Sequence, residues 1–379
     1  MTKQAVFSNA KIILENEIVR GTLVIRDGKI TEIVPGNGNS GEDMDGDYII
    51  PGLIELHTDH LESHYSPRPG VRWNPISAIQ AHDAQVAASG ITTVFDCLRL
   101  GSDEAEGFKK GEMREIADRI SQAQAEGRLR SEHRLHLRCE VSAADCLDHF
   151  SDFETNGLVG LASLMDHAPG QRQFQTMEQY TLYYKDKRGL SDEAFAIFVQ
   201  RRQESSAKNS ATNRKVIAEA CAARGIAIAS HDDATLEHVE EAKELGVKLA
   251  EFPTSLEAAD ASHAAGMSVL MGAPNVVRGM SHSGNIAARE LADRGVLDVL
   301  SSDYVPFSLL HAPFVLSEGE GAMSLPQAIR LVTSTPARTV GLDDRGRIEQ
   351  GLRADFIRVR RDEGVPIVRE VYRQGRRVA

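Results

Sequence analysis

The sequence predicts an α/β protein: a (β/α)8 barrel with a small β-sandwich contributed by both chain ends. Three observations predict it. Eight short strand-like runs alternate with helical patterns through the middle of the chain, the order of a parallel barrel. The first 50 residues and the residues from 338 to 379 instead alternate apolar and polar side chains between turn signals. And 379 residues with 41% hydrophobic and 26% charged side chains make an ordinary globular composition, long enough for a barrel of about 250 residues and a second, smaller body.

In chain order, the opening strands are AVFSNAKII, TLVIRDGKITEIV and DYII, punctuated by Asp27-Gly28 and by GNGNSGED. Barrel strands are expected at 52–57, 91–97, 134–140, 158–165, 225–230, 247–252, 267–272 and 296–302, with helices at 76–89, 112–127, 234–245, 255–265 and 285–294. The barrel thus occupies 51–337 and includes an insertion at 171–224 that carries Phe174, Tyr180, Tyr183, Tyr184 and a charged helix from about 191 to 223. Two readings of that insertion stand: a cover over the site, or an extra packing helix. GRIEQGL, ADFIRVRR and PIVREVYRQGRRV then return to the end-built sandwich.

Lys and Arg total 43 against 55 acids, a net charge of −12, which argues against nucleic-acid and anionic-membrane partners. No run approaches the 18 apolar residues of a membrane span, and the N-terminus lacks a signal-peptide pattern. Cys97, Cys139, Cys146 and Cys221 form no CxxC pair, so reduced thiols in a cytoplasmic protein are expected.

The chemistry sits at strand ends. Alternate residues of a barrel strand face inward. Leu53, Glu55, His57 and Asp59 share one face, and His136, Arg138 and Glu140 another. Met165-Asp166-His167, Ser230-His231-Asp232-Asp233 and Ser301-Ser302-Asp303 also end strands in polar residues. Inward carboxylates are costly unless paired. His57, Asp59, Glu140, His167, His231 and Asp303 therefore read as a divalent-metal site. Two ions fit better than one: His57 and Asp59 on one, His167 and His231 on the other, Glu140 bridging, Asp303 holding one ion and accepting a proton from water. His82 and Asp83 read as structural or supporting residues. Of Asp232 and Asp233, one is expected to orient a ligand and the other to cap the helix near Ala234.

DYIIPGLIELHTD entering the barrel and GRIEQGLRADFIRV leaving it resemble the amidohydrolase superfamily. SPRPGVRW, HLRCE, SLMDHAPGQRQF, ASHDDAT, AEFPTSLEAA, MGAPNVVRGMSHSGN and LSSDYVP resemble, within it, the diphosphatases of the carbon–phosphorus lyase pathway of phosphonate breakdown. The resemblance implies hydrolysis of a phosphorylated ribose phosphonate, α-D-ribose 1-methylphosphonate 5-triphosphate, to the 5-phosphate and pyrophosphate. The superfamily's first motif is His-x-His; here it is His57-Thr58-Asp59, and His60 points away by strand parity. Its bridging group is often a carboxylated Lys, matched here to Glu140. The richer oxygen set keeps Zn²⁺ as the first expectation and brings in Mn²⁺ or Fe²⁺. Glu140 and the two His ligands also fall one strand early, so either a strand is missing from the count or this chain uses an earlier one.

Phosphoryl transfer needs positioning and charge neutralisation. Arg68, Arg72, Arg172 and Arg278, with Ser281, His282 and Ser283, are the candidate phosphate contacts, and His282 also a candidate acid. Two rivals remain at this stage. One is a C–N hydrolase on the same barrel: a deaminase, cyclic amidase or deacylase. The other is a non-catalytic barrel subunit of a phosphonate-processing assembly. Self-association into a homo-oligomer is left open.

Overall fold

The computed structural model describes residues 4–379 apart from 37, 39, 69, 102–110, 173–176, 187–188, 280–285 and 320. Both chain ends build one mixed sheet from β1 (Gln4–Ile13), β2 (Ile18–Arg26), β3 (Lys29–Pro35), β4 (Glu42–Asp43) and β5 (Tyr48–Pro51), completed by three strands from the far end of the chain. The parallel barrel strands are β6 (Leu53–Thr58), β7 (Ile91–Leu100), β8 (Glu132–Glu140), β9 (Val159–Met165), β10 (Ala227–His231), β11 (Leu249–Glu251), β12 (Ser268–Gly272) and β13 (Val299–Ser301). The chain ends with β14 (Phe356–Asp362), β15 (Val365–Arg373) and β16 (Arg376–Arg377).

The end-built sheet runs β16-β15-β14-β5-β1-β2-β3, with β4 beside β1. It is one connected sheet rather than two separately paired layers. The predicted turn at Asp27-Gly28 joins β2 to β3 with φ of 48° and 79°, the two left-handed positions of a tight hairpin turn. Gly is needed at the second position because a Cβ would also meet the Gln374 carbonyl at 3.0 Å. The alternating apolar residues pack as one cluster holding Phe7, Ile12, Leu23, Ile25, Ile49, Phe356 and Tyr372. Phe356 and Tyr372 stack at 4.5 Å, and Phe7 stands edge-on to both at 5.1 Å.

The barrel sheet runs β13-β12-β11-β10-β9-β8-β7-β6, and a parallel bridge from Thr58 to Asp303 links the first strand end to the last. All eight strands expected from the sequence are present, so none was missing from the count. Helices follow them as expected. Asn74 starts Pro75–Ala88, its side chain accepting from Ile76 N and Ser77 N at 2.9 and 3.2 Å. Thr235 and Ser255 cap Leu236–Glu244 and Leu256–Ala264 in the same way. Thr235, not Asp232 or Asp233, therefore does the capping near Ala234. Among the described residues, no helix is long and apolar enough to cross a membrane.

The chain divides into two compact units. The first holds Met1–Asp96, Asp118–Arg134 and Met271–Ala379. Inside it, half-buried Glu132 ties Arg345 at 2.9 Å and Arg353 at 2.6 Å. The second holds Cys97–Ala117 and Leu135–Leu270, including the insertion, whose helix Asp192–Ala223 is 32 residues long.

Candidate metal centre

Three of the six expected ligands lie in each unit. In the first, β6 delivers His57, 2% exposed, with Asp59 just beyond the strand. Asp59 opens the helix His60–Tyr65 without its side chain capping it. Asp303 follows β13 and is stitched to β6 through the backbone: Asp303 N donates to His57 O and Asp59 N to Asp303 O, both at 3.1 Å. Asp303 has a φ of 54°, a left-handed conformation that costs a non-Gly residue energy and recurs at functional sites. Below these residues Glu55, fully buried, accepts from His57 N at 2.7 Å and Ser302 N at 2.6 Å. Burial pushes the Glu55 carboxyl up to about 7, against the hydrogen bonds from Ser302 and His57.

In the second unit, Glu140, His167 and His231 come together. His167 Nδ1 lies 2.6 Å from Glu140 Oε2, and His167 N donates to Glu140 Oε1 at 3.1 Å. Ser142 Oγ adds a donor at 2.5 Å, and Arg99 and Arg202 stand 3.8 Å away. Burial raises the Glu140 carboxyl, but His167 and then Arg202 and Arg99 override it and hold it well below the usual carboxylate range. His231 Nδ1 lies 3.1 Å from Glu251 Oε2. Each Nδ1 thus faces a carboxylate, which leaves Nε2 as the donor atom. The two rings are 5.7 Å apart, and Asp232 Oδ2 stands 3.5 Å from His231 Nε2 and 3.8 Å from His167 Nε2. His167, His231 and Asp232 each offer one atom within 4.8 Å of the others. That donor set, two imidazoles and a carboxylate with acids behind both rings, fits a divalent cation.

The geometry gives the acids different surroundings from those the sequence suggested. Both Glu140 oxygens are engaged by His167 and Ser142, while Asp232, expected at most to orient a ligand, meets both Nε2 atoms. Asp232 also has a left-handed backbone, φ 56°. Glu140 lies on the third barrel strand, with His167 after the fourth and His231 on the fifth.

Arg68 and Arg278 are exposed. Arg72 is half-buried, donating to Ser66 Oγ at 2.7 Å and lying 5.7 Å from the Tyr65 ring centroid. Arg172 is 3% exposed and bonds Asp233 and, at 2.6 Å, Glu241. Ser281, His282 and Ser283 lie outside the described residues. Sequence reasoning gave no role to Glu55 and passed over Glu251, though Glu251 ends a counted strand in an acid, the signal used elsewhere. It also passed over Asp166 as a support, which accepts from Ser206 at 3.0 Å, Ser210 at 2.7 Å and Arg214 at 3.2 Å.

A parallel eight-stranded α/β barrel with imidazoles and carboxylates at its strand ends defines a hydrolytic barrel of the kind that works with divalent metals. Comparison with known proteins carries this further. The chain belongs to the amidohydrolase family, whose profile matches residues 77–379. Over 376 residues it is 46% identical to the α-D-ribose 1-methylphosphonate 5-triphosphate diphosphatase of Escherichia coli (strain K12), covering 98% of this chain and 100% of that protein. A D-hydantoinase of Ralstonia pickettii is 37% identical over 95 residues, 24% of this chain and 19% of its own length. Among solved structures, an N-acetyl-D-glucosamine-6-phosphate deacetylase from Mycobacterium smegmatis aligns with a TM-score of 0.63 at 15% identity over 99% of both chains. A Xaa-Pro dipeptidase aligns at 0.65 and 16% identity, also over 99% of both. At these identities the two structures bear on the fold alone.

Proposed function

We propose that this chain hydrolyses α-D-ribose 1-methylphosphonate 5-triphosphate to the 5-phosphate and pyrophosphate, in phosphonate metabolism. The carrying observation is 46% identity to the E. coli diphosphatase along 98% of this chain and all of that one. We assign two divalent ions to the enzyme, zinc first, with manganese or iron as alternatives. His57, Asp59 and Asp303 form one ligand group, and His167, His231 and Asp232 the other, with Glu140, expected from the sequence to bridge, instead behind the His167 ring. A bound divalent ion supplies Lewis acidity and lowers the pKa of water.

The chain's own groups do the rest. Glu140 and Glu251 fix the tautomers of His167 and His231. Asp303 accepts the proton of the attacking water at a carboxylate oxygen. Arg68, Arg72, Arg278 and the Ser281, His282 and Ser283 segment neutralise phosphate oxygens. Arg172, held by Asp233 and Glu241, acts by fixing the residues after β10. We assign the reaction to the cytoplasm, in keeping with four buried thiols outside any disulfide.

The test is product analysis with the ribose triphosphate phosphonate as substrate. Pyrophosphate and the 5-phosphate are expected in equal amounts, with activity lost on chelation and regained on adding metal. Release of ammonia or amine from amides, without pyrophosphate, would instead make the chain a C–N hydrolase. No turnover by the metal-loaded protein would favour a non-catalytic subunit.

A further inference from the structure

Apart from the ligands assigned above, three imidazoles in the first unit converge with unspent nitrogens. His60 and His64 stand four residues apart in the helix His60–Tyr65, so both rings leave one face. The helix Pro75–Ala88 supplies His82, which is fully buried. Ring centroids are 4.9 Å apart for His60 and His64, 6.0 Å for His60 and His82, and 6.1 Å for His64 and His82. One nitrogen of each ring lies within 4.8 Å of the other two. His60 Nδ1, His64 Nε2 and His82 Nδ1 are each buried and each without a hydrogen-bond partner. Leaving one such atom unmet costs about 1–3 kcal/mol, and here three rings do so in one place.

The tautomer of His82 follows from its neighbours. Asp96, fully buried, lies 2.7 Å from His82 Nε2 and 2.7 Å from His133 Nδ1. An ionised carboxylate only accepts, so His82 carries its proton on Nε2 and keeps a lone pair on Nδ1. The other nitrogen of His133 reaches Asp83 at 3.3 Å. Held by carboxylates at both nitrogens, His133 is a double donor with no lone pair to offer, and it balances the charge of Asp96. An imidazole whose far N–H donates to a buried carboxylate is the usual form of a metal-ligating histidine.

We propose that His60, His64 and His82 form a tri-histidine zinc site, additional to the strand-end ligands, with its fourth position left to water. Three neutral nitrogen donors without thiolate suit Zn²⁺, which takes three protein ligands and a water where a position stays open. His60 and His64 are half-buried, so an ion can enter and exchange. Such an ion pins the helix His60–Tyr65 to the helix Pro75–Ala88. Between them run residues 66–74, which carry Arg68 and Arg72 and return through Trp73 N donating to Tyr65 O at 2.8 Å. The site therefore fixes the segment that the functional reading assigns to phosphate.

Zinc per chain, measured on the purified full-length protein by elemental mass spectrometry, tests this. His64→Ala is expected to lose about one equivalent of zinc and to keep the ions bound elsewhere. His64→Cys is expected to hold zinc again and, loaded with Co²⁺, to show a new thiolate-to-cobalt absorption. Unchanged zinc in His64→Ala, or no thiolate band in Co²⁺-loaded His64→Cys, overturns the site. Both readouts count or identify metal rather than turnover, so the diphosphatase reading stands or falls separately.

Discussion

Asp303, proposed above as the proton acceptor, occupies a left-handed backbone position directly after β13 and is half-buried beside the first strand's end. Asp303→Asn keeps the shape and removes the basic oxygen. It is expected to lower kcat by about 10²–10⁴-fold with KM nearly unchanged, read from steady-state pyrophosphate release. Glu251 works one step further out, through His231 Nδ1. Glu251→Gln is expected to weaken metal binding by about 10–100-fold, measured by competition with a chelator. A third acid bears on stability. Burial would raise the Glu132 carboxyl, but Arg345 and Arg353 bring it down to about 2 from an ordinary 4.5. A lowered folded-state pKa means stability present above 4.5 and lost as pH falls towards 2. Glu132→Gln should thus cost on the order of 2–3 kcal/mol at neutral pH in denaturant unfolding, the deficit shrinking below pH 4.5.

The helix Asp192–Ala223 turns its polar face to two strand ends of the second unit. Ser206, Ser210 and Arg214 all turn to Asp166, the residue before His167. Asn213 Nδ2 donates to the carbonyls of Val141 and Ala143, just past Glu140. These contacts favour the packing reading: the helix holds the chain just before His167 and just after Glu140. Arg214→Met would leave the Asp166 carboxylate, 3% exposed as a residue, short of its cation. A loss of about 3–5 kcal/mol in unfolding free energy is expected, with lower metal content through the displaced His167. The helix and its packing role were among the sequence expectations, but its partners were not legible. The helix reads as charged, and nothing in its periodicity says that its serines meet an acid from another element. The barrel strands were legible because their parity is local: β6 and β8 announce their inward faces residue by residue. The facing of Glu140 and Asp232 was not, since it depends on side-chain directions fixed by distant hydrogen bonds. Nor was the His60, His64 and His82 cluster, where the parity argument set His60 aside and helical spacing brought it back.

At the scale of the molecule, the two chain ends share one core. Phe356 stacks on Tyr372 and meets Phe7 edge-on, so Phe356→Ala removes a ring gripped from both ends of the sequence. A cost of about 3–5 kcal/mol is expected, seen as a lower denaturation midpoint of the purified protein. The sequence already showed β-like ends, because alternation and the Asp27-Gly28 turn are local signals. That β5 would pair antiparallel with β14, Pro51 opposite Phe356, needed three dimensions. This pairing also bears on how the protein is made. β5 leaves the ribosome about 300 residues ahead of its partner, and at roughly 5–20 residues per second it waits some 15–60 seconds with a bare edge. The nascent chain thus carries an open, sticky strand through most of its synthesis, and the enzyme's yield in the cell depends on what shields that edge until the last strands arrive.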